Sequence, residues 1–293
     1  LGGRLDKHNL IKNAIFSPRI NIRYNPKPFI GLRAGYSTGF RAPQAFDEDL
    51  HITAVGGDVS IIQLAPDLEE ERSNTVNFSA DFYKTFGAVQ ANLLLEGFYT
   101  HLKDVFLLEK IGQDEQGNIL LERRNGSGAV VKGVNIEGKI VPIRPIEIQM
   151  GVTFQRSTYD EPESWSDNEN IAPQRRMFRT PDQYGYFTAS YSLKDQLNFS
   201  LSGVYTGSML VQHFAGFIPE DAEVITPSFF DLSFKIAYNF KPAFNTRLQL
   251  NTGVQNIFNS YQNDFDQGPF RDSGYIYGPS LPRTFFAGLK LSL

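Results

Sequence analysis

The chain predicts an all-β fold, an antiparallel up-and-down barrel that crosses a membrane with its strands. Three observations carry this. Apolar and polar residues alternate over stretches of ten residues and more, most clearly in Phe230-Asp-Leu-Ser-Phe-Lys-Ile-Ala-Tyr-Asn-Phe240, where every second residue is apolar. Tight Pro/Gly/Asn/Asp connections alternate strictly with long ones. The polar set of each stretch is rich in Asn, Gln, Ser, Gly, Arg and Glu, which suits a hydrated lumen.

Twelve strands follow, with cores near 2–8, 14–25, 28–40, 74–84, 88–109, 119–141, 144–157, 177–192, 196–213, 228–240, 246–258 and 284–293. Ile20, Ile22 and Tyr24 share a face in the second. Ile30, Leu32, Ala34 and Tyr36 do so in the third, Val76, Phe78, Ala80 and Phe82 in the fourth, and Ile146, Ile148, Met150, Val152 and Phe154 in the seventh. The short connections are Asn25–Pro28, Lys84–Gly87, Pro142–Pro145, Leu193–Gln196 and Lys241–Asn245. The long ones cover roughly 41–73, 158–176, 214–227 and 259–283, with a shorter one at Gly112–Asn118. In a meander this puts the tight turns at one end and the long loops at the other. No amphipathic helix stands out, so very little helix is expected. A soluble β-sandwich or closed barrel also alternates. Strands this long, loop lengths sorted by end and the polar lumen-like face favour the membrane barrel.

Composition narrows the function. Hydrophobic residues make up 41% and charged ones 20% of 293 residues, which argues for a folded chain. A net charge of −4 gives no reason to expect nucleic acid. The absence of cysteine excludes disulfides, thiolate catalysis and Cys-ligated zinc. No apolar run is long enough for a spanning helix, and the mean hydropathy of −0.28 is compatible with a barrel, where only alternate residues meet lipid.

Three stretches have the chemistry for a site. From Gln44 to Glu71 there are eight acidic residues and no Lys or Arg, including Asp47 and Asp49 beside His51. Such a loop is either solvated or an oxygen-rich cation site, but it lacks EF-hand spacing. His51 and His213 lie at loop ends, where axial haem ligation is chemically conceivable; ordinary polar roles are the plainer reading. Tyr159, Trp165, Phe178, Phe214, Phe217, Tyr261, Phe265, Phe270, Tyr275 and Tyr277 crowd the long loops, as an interfacial girdle or as the mouth of a ligand site. No catalytic triad, carboxylate pair or phosphate loop stands out, and no cofactor or resident metal is expected.

Several segments carry a resemblance. Leu32-Arg-Ala-Gly-Tyr-Ser-Thr-Gly-Phe-Arg-Ala-Pro43 resembles the Phe-Arg-Ala-Pro segment of TonB-dependent outer-membrane receptors. Ala65-Pro-Asp-Leu-Glu-Glu-Glu-Arg-Ser73 resembles the Asn/Asp-Pro-Asp-Leu stretch that follows it there, with Ala in place of Asn. Val131-Lys-Gly-Val-Asn-Ile-Glu137, Asn251-Thr-Gly-Val-Gln-Asn-Ile-Phe-Asn259 and Tyr277-Gly-Pro-Ser-Leu-Pro-Arg-Thr-Phe-Phe286 are similar to later strands of that family. Gly288, Leu291 and Leu293 resemble a barrel-assembly signal, which usually ends in Phe.

The resemblance implies a 22-stranded barrel with an N-terminal plug, of which residues 1–293 would be the C-terminal portion, about 12 strands. The plug and the TonB-contacting segment would lie upstream. It also implies an outer-membrane location in a Gram-negative bacterium, and active uptake of a scarce, bulky nutrient of the iron–siderophore, haem or cobalamin class. An oligosaccharide importer of the same fold and a soluble β-rich binding protein are the alternatives. The partners implied are the TonB complex, the plug, outer-membrane lipid and the nutrient, with no nucleic acid; the chain would not be an enzyme. Arg41, Asp47, Asp49, His51, Trp165, Phe214, Tyr275 and Tyr277 are the expected ligand-binding residues.

Overall fold

The computed structural model describes residues 1–9, 11–43, 60–116, 118–194, 196–240 and 247–292. The strands, in chain order, are β1 (Gly2–Asp6), β2 (Ile15–Lys27), β3 (Ile30–Arg41), β4 (Ser60–Leu64), β5 (Glu71–Phe86), β6 (Val89–Lys103), β7 (Phe106–Gln113), β8 (Ile119–Asn125) and β9 (Ala129–Ile143). They continue with β10 (Ile146–Glu163), β11 (Gln174–Arg176), β12 (Gln183–Leu193), β13 (Leu197–Thr206), β14 (Leu210–His213), β15 (Ala222–Ile225), β16 (Phe229–Asn239), β17 (Arg247–Gln255) and β18 (Thr284–Ser292). The described residues contain no helix.

One sheet forms the wall. Its order is β1-β2-β3-β5-β6-β9-β10-β12-β13-β16-β17-β18, every neighbour antiparallel, with β11 added to the far end of β10. The wall therefore has the twelve strands expected. β1 and β18 are the two ends of the path and, among the described residues, pair only with β2 and β17.

Cross-strand register sorts the side chains onto two faces. Ile22, Ala34, Phe78, Gly97, Val134 and Phe154 stand in one row. Ala189, Leu201, Phe234, Val254 and Phe285 stand in another on the same face. Ile22, Phe78, Val134, Phe154 and Phe285 are exposed, and no second sheet covers them among the described residues. In water a continuous apolar face of this size would drive association; in lipid it is the expected outer surface. The opposite face reads Arg23, Arg33, Ser79, Glu96, Asn135, Thr153 and Tyr184 across the same strands. Its polar groups pair with one another. Asp81 accepts the Tyr83 hydroxyl at 2.5 Å and the Asn92 amide at 2.6 Å, and Thr153 donates to Asn135 at 2.9 Å. Only glycine fits at 133, where a Cβ would lie 2.4 Å from the Phe154 carbonyl oxygen and 2.7 Å from the Phe98 ring.

Several expected strands are shorter than the alternation suggested: 177–192 begins only at Gln183 and 246–258 ends at Gln255, and three others break off the wall. The stretch 88–109 stops at Lys103, where Asp104 takes φ 57°, and resumes outside the wall as β7. The stretch 119–141 is β8, then a break at 126–128, then β9. β7 and β8 form a hairpin whose base is closed by Gly126 N–H to Val105 O at 2.7 Å. The stretch 196–213 splits into β13 and β14, and β14 leaves the wall to pair with β15. The segment 60–64, read within a loop, is β4; it runs parallel to β8 and makes a three-stranded sheet with the β7–β8 hairpin. In the assembly-signal region, Leu291 lies on the apolar face opposite Leu248. Gly288 lies on the polar face, where a Cβ would meet Asn251 Oδ1 at 3.2 Å. Leu293 lies outside the described residues.

The face assignment is testable in the full-length barrel. Val134→Arg, on the apolar face, is expected to destabilise by about 2–4 kcal/mol. Lys235→Gln, on the polar face, should stay within about 0.5 kcal/mol. Denaturant unfolding in lipid vesicles measures both, and equal costs would reverse or abolish the assignment.

Candidate functional site

All five long connections, 42–70, 104–128, 164–182, 207–228 and 256–283, leave the same end of the wall. They hold 21 Asp and Glu against 8 Lys and Arg, whereas the rest of the chain holds 11 against 20. The long connections are thus strongly acidic and the rest of the chain is basic.

The last three long connections are tied into one body. Trp165 packs edge-on against Phe178 (5.7 Å between centroids) and Phe214 (5.4 Å), so two residues expected at a ligand site do come together. Its indole N–H donates to Glu223 Oε1 at 3.0 Å, and Gln174 donates to Glu223 Oε2 at 2.8 Å. Ser166 donates to Asp221, which also accepts the Ala215 N–H at 2.7 Å. A rigid aromatic cluster bordered by carboxylates results, joining 164–182 to 207–228.

The second cluster centres on Tyr275, which is buried with Met209 and Val211 while Tyr277 packs against the group. The His213 ring stacks on Tyr275 at 3.7 Å, and its Nε2 lies 2.9 Å from Asp266 Oδ2. Both tyrosine hydroxyls donate to Asp264, Tyr277 at 2.6 Å and Tyr275 at 3.2 Å. Gln262, fully buried, donates to the Tyr275 carbonyl and accepts the Tyr277 and Gly278 N–H groups. Arg179 donates to the carbonyls of Ile276 and Gly274. Tyr275 and Tyr277 thus serve as core of the loop assembly, not as an interfacial girdle. His213 is committed to Asp266 and Tyr275, which leaves no open ring nitrogen of the kind axial haem ligation needs at Nε2.

Burial, reinforced by the Asp264 carboxylate, pushes the Tyr275 hydroxyl up to about 12 and raises that of Tyr277 as well. Neither Asp264, Gln262, Asp266 nor Arg179 was singled out from the sequence. Each lies far along the chain from at least one partner, and a lone polar residue in a loop gives no signal of its own.

Arg41 stands apart from these clusters. It sits at the end of β3 opposite Glu71, at 3.9 Å, with its guanidinium 5.4 Å from the Phe106 ring centroid. Asp47, Asp49 and His51 lie outside the described residues. Two concavities are present near the wall. An open cleft of about 520 Å³ is lined by Arg124–Gly128 and Asp160–Glu163 at the rim. A groove of about 210 Å³ on the polar face is lined by Asn135, Glu137, Gly151, Thr153 and the rings of Tyr184 and Tyr186.

The tyrosine pair gives the loop body a pH limit. A hydroxyl with a raised folded pKa stays neutral longer when folded than when unfolded. The contribution of Tyr275 is therefore complete below pH 10 and is lost as pH rises toward about 12. Tyrosinate absorbance of the full-length receptor should show Tyr275 and Tyr277 ionising after the exposed tyrosines, and Asp264→Asn should bring that late step to lower pH. An unchanged step in Asp264→Asn would mean the carboxylate plays no part.

The family model described as TonB dependent receptor-like, beta-barrel, matches residues 1–257. No curated protein matches the chain in sequence. Among solved structures, the ferric enterobactin receptor PfeA of Pseudomonas aeruginosa is similar at TM-score 0.65 and 15% identity, over 99% of this chain and 41% of its own. The siderophore receptor PirA of the same organism gives TM-score 0.65 and 16% identity, over 99% and 44%. The FrpB iron transporter of Neisseria meningitidis gives 0.59 and 16%, over 94% and 38%. The chain spans less than half the length of these structures. By its family match, its antiparallel wall and its apolar outer face, the chain belongs to the TonB-dependent receptor-like β-barrel family, proteins of the Gram-negative outer membrane.

Proposed function

We propose that this chain is the loop-bearing part of an active transporter that captures a ferric siderophore at the cell surface and takes energy from TonB. The loop body carries this reading. Three long connections interlock above the wall and hold Trp165, Phe178 and Phe214 as a rigid cluster next to hydrogen-bonding carboxylates and amides. Stacked aromatics with polar neighbours suit a bulky chelate with apolar and polar parts. The named neighbours include a ferric enterobactin receptor and a siderophore receptor, which favours iron over cobalamin or oligosaccharide. The role is recognition and passage, not bond-making.

In this reading the polar face of the wall lines the lumen and meets a plug domain supplied by the rest of the receptor. Arg33, Tyr83 and Asn92 gather there around the buried Asp81 as a polar cluster on that face. TonB would act on a segment outside residues 1–293.

Binding assays with the full-length receptor and ferric, haem, cobalamin and oligosaccharide ligands test the substrate class. Ferric siderophore binding and iron-limited growth that depends on it are expected. Binding of only haem, cobalamin or a glycan would overturn the iron reading. Trp165→Ala should weaken ligand binding about tenfold, with the barrel intact by heat-modified gel mobility. Unchanged affinity would move the contact away from this cluster.

A further inference from the structure

The opposite end of the wall carries a second pattern, repeated hairpin by hairpin. The tight connections at 28–29, 87–88, 144–145 and 194–196 each have one cation in or beside them: Lys27, Lys84, Arg144 and Lys194. All four are exposed, and none forms an ion pair among the described residues. Asp195 is the one acid within these four connections. Glu147, just beyond the third, is held by Lys139 at 2.8 Å.

Each cation also has an exposed apolar neighbour. Lys27 lies over the Phe29 ring at 5.7 Å and Lys84 over the Phe86 ring at 4.7 Å. Arg144 follows Ile143, and Lys194 follows Leu193, both exposed. The register puts the first two on the lipid side. Lys27 pairs with Ile30, which pairs with Phe82 and then Leu93, all on the apolar face. Lys84 lies two residues beyond Phe82 on the same face. Cations at the margin of an apolar belt, held against rings that enter the interface, are placed for headgroups. A water-facing protein partner would not require the apolar neighbours.

We propose that this short-turn rim binds the phosphate of anionic phospholipid headgroups in the leaflet it meets, through Lys27, Lys84, Arg144 and Lys194. The proposal rests on the membrane-barrel reading and adds a lipid site to it. The acidic loop end and the cationic turn end then face chemically different surroundings. The rim holds the barrel at a defined depth and recruits phosphatidylglycerol-type lipids over zwitterionic ones.

The test uses the full-length receptor in mixed micelles of phosphatidylglycerol and phosphatidylethanolamine, with retained lipid read by native mass spectrometry. A cation at a membrane surface gives about a fivefold preference, so four partly screened ones should favour phosphatidylglycerol by about tenfold or more. K27Q/K84Q/R144Q/K194Q should bring the ratio near parity. R23Q/K235Q, altered on the polar face away from lipid, should leave it unchanged. An undiminished ratio in the quadruple variant overturns the proposal, as does displacement of the lipid by millimolar inorganic phosphate alone. Heat-modified gel mobility separates the failures. Loss of the folded-barrel band in the wild type would remove the barrel reading itself, whereas a normal band with no lipid preference removes only the rim site.

Discussion

Inside a bilayer a backbone N–H or C=O has no water to turn to, and each one left unpaired costs several kcal/mol. The wall answers this with an antiparallel ladder that runs across twelve strands. The other features follow from it. A ladder fixes the side-chain period at two, so one face must be apolar and the other is free to be polar. The row Ile22–Phe154 and the row Arg23–Tyr184 are the two results of the same constraint. The ladder also makes each strand end a point where the chain either turns back at once or leaves the membrane entirely.

Beyond the membrane the chain must satisfy its backbone by other means, and here side-chain amides and carboxylates take the place of ladder partners. Gln262 serves one carbonyl and two N–H groups from Tyr275 to Gly278. Asn256, with φ 51°, donates to the carbonyls of Ser260 and Leu281 and accepts the Ser260 N–H. Asn125 bridges Glu69 and Asp104, tying the 42–70 connection to the β7–β8 hairpin. These groups make the long connections a folded layer, with core residues such as Met209 and Val211, and not a set of independent loops.

The wall was legible in the chain because lipid imposes its alternation residue by residue and because short hairpins advertise themselves by Pro, Gly and Asn. The places where strands leave the wall were not. Phe106–Gln113 and Leu210–His213 are extended whether they pair with the wall or with another loop, so alternation carried the expected strands too far. The parallel pairing of β4 with β8 joins segments with no turn between them to announce it. Of the site, residue type alone picked out Trp165, Phe214, Tyr275 and Tyr277, since large aromatics in loops need something to pack on. Their polar partners stayed hidden because Glu223, Asp264 and Asp266 look like any solvated acid until the fold places them.

Charge completes the polarity that loop length begins. A neutral wall would be indifferent to its direction in the membrane, but 21 acids in the long connections and a cation at each described tight turn make the two ends unlike. An acidic surface layer repels a polyanionic ligand at long range, and screening confines that repulsion to about 8 Å at physiological ionic strength. A ferric chelate that carries negative charge would therefore be held by close contacts, with Trp165, Phe178 and Phe214 offering ring surface, and not by steering from this part of the mouth. Recognition would then depend on how rigidly the rings are held. The hydrogen bonds from Trp165 and Gln174 to Glu223 and the stacked His213–Tyr275 pair belong to the same tied body, so the polar knots that satisfy the loop backbone also fix the surface a ligand would meet.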